Sequence, residues 1–261
     1  MPRHPRTLLT PILFAALLAS VAPVACADAL HLRWGACERD GGVMNRSFAC
    51  NTNLGGDLLT ASFGLTAPVP QVQRLSFTIV LATATYTLPA WWDVTSSAGC
   101  RAGALRADAT NAPSAVACDD WAAGQAVAFV TSVAAVPYYG AVSLRVTGDV
   151  AASAPVDLPA GPEWFAFHWG WSHARTTGTP ACGGCDVPAC IALHRIDLYD
   201  GSGSLTPVRT VTVFDSPPAA AIATWQGGAG VVRTNQAGFT DCPAATPTHH
   251  SAWSALKSLY R

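Results

Sequence analysis

The sequence predicts an all-β fold: an antiparallel β-sandwich, jelly-roll-like, of roughly ten strands with a short C-terminal helix. Three observations carry this. Apolar and polar residues alternate with period two in run after run, the breaks between runs hold Gly, Pro or Asn, and helical periodicity is confined to the end of the chain. Many strands with no helices between them fold into two packed antiparallel layers.

In chain order the expected strands are 29–34, 57–65, 74–87, 101–108, 126–133, 141–149, 163–174, 190–199, 207–214 and 221–226. In the third, Leu75, Phe77, Ile79 and Leu81 alternate with Ser76, Thr78 and Val80; in the sixth, Val142, Leu144 and Val146 alternate with Ser143, Arg145 and Thr147; Val208, Thr210, Thr212 and Phe214 repeat the pattern late in the chain. The longest case is 164–173, WFAFHWGWSH. An unbroken strand there puts Phe165, Phe167, Trp169, Trp171 and His173 on one face and Trp164, Ala166, His168, Gly170 and Ser172 on the other. The closing helix is expected over 252–259, with Ser251 as cap and Trp253, Leu256 and Leu259 at near-helical spacing.

The N-terminus has the form of a secretory signal peptide, residues 1–27. Arg3 and Arg6 precede an apolar run from about Leu8 to Val24, and Ala25-Cys26-Ala27 is a small-x-small cleavage site. Pro11 and Pro23 break that run, which is too short for a good membrane span, and no later stretch approaches the length of one. A rival reading makes Cys26 a lipidated first residue; Pro23, where such a site wants a Leu-like residue, favours soluble export. Residues 28–261 are then one disulfide-stapled β-sandwich domain, with AASAPVDLPAGP (151–162) the place for a split into two.

Without Arg3 and Arg6 the 15 basic residues become 13 against 16 acidic ones, a formal charge of −3. Lysine occurs once, at Lys257, glutamate only at Glu38 and Glu163, and no basic cluster marks a nucleic-acid surface. The 12% charged fraction is low, but with half the residues hydrophobic the chain is composed to fold.

Nine cysteines raise the question of chemistry, most of all in CGGCDVPAC (182–190). Haem attachment needs a histidine after the second cysteine, and Asp186 stands there. A redox pair wants a helix N-terminus, and Gly183-Gly184 between two strands is turn chemistry. Cys182, Cys185, Cys190 and Cys242 could supply four thiolates to zinc, but the last lies far from the others. Disulfides are the better account for an exported chain. Locality suggests Cys37–Cys50 and Cys100–Cys118, and a weaker preference pairs Cys182–Cys190 and Cys185–Cys242, among 105 possible pairings of eight.

Candidate sites are few. Trp91, Trp92 and Asp93 after Pro89, Trp121 after Asp119-Asp120, and Trp225 beside Gln226-Gly227-Gly228 could present flat rings and a carboxylate to a glycan; the competing reading is that these tryptophans fill the core. Asn51-x-Asn53-x-Gly55-x-Asp57 has calcium-loop spacing, but only Asp57 is charged, which favours a plain turn. His168 and His173, an odd number apart, point to opposite faces of a regular strand, and His249-His250 reads as a solvated cap region, so no metal or cofactor is expected. Neither G-x-S-x-G nor H-E-x-x-H occurs. A glycosidase pair would have to join Glu163 to an aspartate such as Asp93.

These readings converge on a secreted or bacterial-envelope protein, extracellular or periplasmic, more structural or binding than catalytic, with an unknown extracellular protein or glycan as partner. A carbohydrate-binding module or glycan-acting hydrolase using surface tryptophans is the alternative. The protein recovered from its native compartment is expected to begin at Asp28, carry no lipid, expose no free thiol when denatured and hold no stoichiometric zinc. Intact mass, N-terminal sequencing, thiol counting and elemental analysis check this; a lipidated Cys26, or four free thiols with one zinc, is the contrary result.

Overall fold

The computed structural model describes residues 28–95, 99–110, 118–138, 141–217, 219–228, 231–233 and 239–241. Fourteen strands lie among them: β1 Ala29–Trp34, β2 Asn45–Arg46, β3 Gly56–Gly64, β4 Val69–Thr83, β5 Leu105–Asp108, β6 Asp119–Asp120, β7 Ala126–Tyr138, β8 Ala141–Leu158, β9 Glu163–Ser172, β10 Ala189–Asp200, β11 Arg209–Thr212, β12 Ile222–Trp225, β13 Val231–Arg233 and β14 Phe239–Asp241. The only helical elements among the described residues are single 3-10 turns at Glu38–Asp40 and Ala90–Trp92. The helix expected at 252–259 and Cys242 fall outside the described residues.

Two sheets form a sandwich-like pair of layers. The first runs β1-β3-β9-β5, with β6 also on β9; the second runs β2-β12-β10-β4-β8-β7, with β11 also on β10. Two strands are shared in an economical way. β5 pairs antiparallel along the C-terminal half of β9 (Asp108 opposite His168), while β6 lies parallel along its start (Asp119 opposite Trp164). Likewise β12 takes the first part of β10 and β11 the later part. β13 and β14 form a separate two-stranded sheet, with β13 against β4 and β10.

One apolar core lies between the layers. Leu30, Leu32, Leu59, Ala61 and Phe63 line it from the first sheet and Leu75, Phe77, Ile79, Leu144, Val146 and Val150 from the second. Each set alternates along its strand, as the period-two pattern requires. The layers meet ring on ring at Phe77 and Phe167, stacked with centroids 3.9 Å apart. Gly148, mid-strand in β8, makes room for this: a Cβ there would stand 2.3 Å from the Phe77 ring and 2.5 Å from the Phe129 carbonyl oxygen. A second, small cluster of Val80, Ala82, Cys190, Ala192 and Ile222 is buried on the opposite side of the second sheet.

The strand of rings departs from regular alternation. Ala61 pairs with Phe167 but its neighbour Ser62 pairs with Phe165, so β9 bulges at Ala166. Past the bulge the faces exchange: Trp164 and Ala166 join Phe167, Trp169 and Trp171 in the core, and Phe165 packs instead with Cys37 and Cys118. The expected five-ring face is therefore interrupted, and Trp164 is an interior residue.

Two strands outrun their expected ends. β8 continues through residues 151–158 of the 151–162 stretch that composition suggested as a linker, because Val156 and Leu158 still pair with Val72 and Val69. Pro155 is accommodated where the register jumps, with Val72 opposite Val156 but Arg74 opposite Ala151. Conversely, the 101–108 segment begins as a turn and becomes strand only at Leu105.

The cysteine pairing is long-range. Cys37 bonds Cys118, Cys50 bonds Cys185 and Cys100 bonds Cys182, at sequence separations of 81, 135 and 82. These bonds overturn Cys37–Cys50, Cys100–Cys118, Cys182–Cys190 and Cys185–Cys242. Cys190 is disulfide-bonded too. CGGCDVPAC is thus a staple, but one that ties its turn to distant segments instead of closing on itself. Loops of this length are worth roughly 4.5–5 kcal/mol each in the chain-entropy model, against about 3 for the short loops locality suggested. The three bonds point to an oxidising extracellular or periplasmic environment, and no helix among the described residues is long and apolar enough to cross a membrane.

Trp169 is fully buried against Trp171. Trp169→Ala is expected to cost about 3–5 kcal/mol in chemical denaturation, and Trp164→Ala also a substantial amount, because both rings are interior. Phe129→Ala, at a side chain 47% exposed, should shift stability by less than about 1 kcal/mol.

Candidate functional site

The residues proposed to grip a glycan are inside. Trp91, Trp92 and Trp225 have no solvent exposure and Trp121 has 2%. The reason lies in the backbone: Ala90–Trp92 is a 3-10 turn, not an extended segment, so adjacent indoles need not point to opposite sides of a sheet. Trp91 stacks on Trp225 with centroids 5.1 Å apart, and Trp92 meets Trp91 edge-on at 4.7 Å and Trp171 edge-on at 4.9 Å. The structure therefore brings Trp91, Trp92 and Trp225 together, but in an interior cluster. Trp121 lies elsewhere in the core. Asp93 accepts hydrogen bonds from the Thr95 hydroxyl (2.6 Å) and amide (3.3 Å), a local turn. No sugar-stacking platform is formed by these residues.

Polar anchors hold the indoles. Trp225 Nε1 donates to the Cys185 carbonyl at 2.7 Å, Trp91 Nε1 to Thr176 Oγ1 at 3.1 Å and Trp34 Nε1 to the Thr224 carbonyl at 2.9 Å. The indole N–H groups of Trp92, Trp169 and Trp171 are buried with no hydrogen-bond acceptor. Arg101 is buried in the same cluster, its guanidinium 3.7 Å from the Trp91 ring centre. It donates to the carbonyls of Trp91 (2.8 Å), Ala174 (3.2 Å) and Ser172. Burial pushes its pKa down to about 10, which leaves it charged at neutral pH.

The carboxylates and histidines that invited a chemical reading are engaged in structure. Glu163 accepts the backbone N–H of Glu38 (3.2 Å) and of Arg39 (3.3 Å), capping the first 3-10 turn, and takes a short 2.5 Å hydrogen bond from the Ser62 hydroxyl. Asp93, its suggested catalytic partner, is committed to the 93–95 turn. Asp57 binds His173 Nε2 at 2.8 Å and pairs with Arg46 at 2.5 Å, while His173 Nδ1 faces the Leu54 carbonyl at 3.1 Å and its ring stacks on Phe48 at 3.8 Å. Asn53, in the loop with calcium-like spacing, exchanges hydrogen bonds with the Thr177 backbone. Among the described residues no group of three or more His, Cys, Asp or Glu is placed to hold a metal ion.

His168 sits on the outer side of β9, its Nδ1 3.1 Å from Thr60 Oγ1. Burial pushes its pKa down, with nearby Asp108 pulling partly the other way. His194, on β10, is also depressed, by burial first and then by Arg195 and Arg145.

Part of the exposed apolar surface lies on β7, beside scattered exposed side chains such as Leu54, Tyr86, Leu205 and Phe214. β7 is an edge strand whose segment 126–138, AVAFVTSVAAVPY, contains no Lys, Arg, Asp or Glu. Val127 is 66% and Phe129 47% exposed. The register lays two rows across the second sheet from these residues: Val127, Ala151, Arg74 and Tyr199 in one, Phe129, Asp149, Ser76 and Asp197 in the next. Arg74 lies 4.1 Å over the Tyr199 ring and 4.0 Å from Asp149, whose pKa burial raises and Arg74 partly restores. An open cleft lined by Gln73, Arg74, Ala151, Tyr199 and the highly exposed Leu205 continues this surface. Sequence reasoning passed over it, although a charge-free run of this length was a readable signal.

The histidines set a pH dependence. The unfolded chain takes up protons on His168 and His194 near the ordinary value of about 6.5, whereas the fold takes them up only at lower pH. Below about pH 6.5 the unfolded state binds more protons, so stability falls on acidification, by at most about 1.4 kcal/mol per pH unit for each histidine. Urea denaturation between pH 8 and 5 should show this slope, and His168→Gln should reduce it; an unchanged slope in the variant contradicts the assignment.

The chain matches no protein-family model, no curated protein and no solved structure.

Proposed function

We propose that this is an exported, non-catalytic β-sandwich with a structural or binding role in the envelope or extracellular space, working through a surface and not through a reaction centre. One observation carries the reading: the long uncharged edge strand β7, with Val127 and Phe129 open to solvent beside the Arg74–Tyr199 pair. An apolar edge of this kind invites association, and aromatic and arginine side chains are the residues that anchor protein contacts. The side chains first considered for catalysis or metal binding support it from the other side, since Glu163, Asp93, Asp57 and His173 are each satisfied by partners that build the fold. The glycan-binding alternative rested on exposed tryptophans, and those rings are interior.

Hydrogen exchange of the mature protein, with and without envelope material and spent medium of the producing cells, tests the reading. Protection concentrated in 126–130 and 149–151, with no turnover of ester, peptide or glycosidic substrates, is the expected result. Catalytic turnover by the purified protein overturns it.

A further inference from the structure

Strand β7 pairs with β8 along one edge only; among the described residues its other edge is hydrogen-bonded to no strand, although β5 of the first sheet packs close to β7. Natural edges are usually blunted by charge, proline or a bulge. Here the protection is uneven. Pro137 guards the far end, and the register shift between Val130 and Ser132 marks a bulge at the middle. The five residues Ala126–Val130 have neither device, and no charge.

We infer that this segment receives a second copy of the same chain, β7 against β7 in antiparallel fashion about a two-fold axis at Ala128, which joins the two second sheets into one. The inference rests on the binding role proposed above and names its occupant. The order of residues argues for a self-match. With Ala128 opposite Ala128, Val127 faces Phe129 of the partner copy and Phe129 faces its Val127, so both exposed side chains enter aromatic–β-branched pairs, which stabilise antiparallel strands. On the inner face Ala126 meets Val130 and Ala128 meets itself; these three already pack against the core, which the pairing extends across the join.

Electrostatics permit the match. Asp149 follows Phe129 in its row and is the first charge met along that row on either side of the join. The two copies of Asp149 would be separated by three strand spacings across the join and two residues along it, about 16 Å, longer than the screening length at physiological salt. A heterologous partner would need a recognition feature on the strand itself, and AVAFV offers only apolar side chains that complement their own reverse. An edge contact of this length lies at the small end of specific interfaces, so dissociation is expected on the order of 10–100 µM.

Sedimentation velocity of the mature chain from about 1 to about 500 µM, with two variants, tests the pairing. The wild type should pass from monomer to dimer over this range. V127K/F129K sets like charges opposite each other and should weaken the dimer at least about tenfold, whereas V127K/F129E sets Lys opposite Glu in both pairs and should stay within about threefold of wild type. Both positions are solvent-exposed, and melting temperatures establish that the variants fold. A wild type monomeric throughout, a V127K/F129K variant that dimerises as well as wild type, or a V127K/F129E variant no stronger than V127K/F129K overturns the inference. If the wild type stays monomeric while envelope material protects 126–130 from exchange, the self-pairing fails and the binding role stands.

Discussion

Arg101 holds together the end of the sandwich where strand pairing gives out. It contacts three carbonyls on two backbone segments, at Trp91 and at Ser172 and Ala174, and its guanidinium lies over the Trp91 ring. Its neighbour Cys100 carries the bond to Cys182, and Cys185, one turn further, binds Cys50. A guanidinium with no carboxylate partner among the described residues, satisfied by carbonyls and an indole, fixes that end by geometry: its planar fork has more donors than any other side chain and remains charged despite burial. Trp91 and Trp171 lie nearest to it, at 3.7 and 6.0 Å from ring centre to guanidinium.

The strand pattern was legible because period-two alternation is the direct imprint of a buried face. β1 matches its expected span and β9 and β10 fall within about two residues of theirs. What escaped were departures from local regularity. Nothing in WFAFHWGWSH marks Ala166 as a bulge, so the faces were counted through it. Nothing in PAWWD marks the 3-10 turn that carries both Trp91 and Trp92 inward. Pro155, with its run of small residues, resembles a linker because composition does not record that β8 is still paired with β4 beyond it. The cysteine pairing escaped for another reason. The entropy of closing a loop rises only with the logarithm of its length, so nearness in sequence is a weak guide once a sheet topology has brought distant segments into contact.

The site residues divide along the same line. Asp93, Glu163, Asp57 and His173 attracted notice as chemical groups, and each is explained by the turn, cap or loop that it completes. The surface that remains unexplained by folding is apolar, at the edge strand β7, where side chains common in any core stand in solvent. Chemical group type drew the eye to the first set. Only burial, which the sequence does not give residue by residue, separates Val127 from Val130.

The disulfide topology has a consequence for the order in which the molecule is made. A ribosome delivers Cys37 and Cys50 early, and Cys100 and Cys118 soon after, yet every bond but one waits for a cysteine of the 182–190 cluster. Even Cys37 must hold off from its first neighbour, Cys50, until Cys118 arrives. In an oxidising compartment the nearest thiols meet first, so consecutive bonds form readily and are wrong. The native set is reached by exchange through mixed disulfides once the cluster is present, which makes maturation of this protein a matter of correcting bonds as much as of forming them.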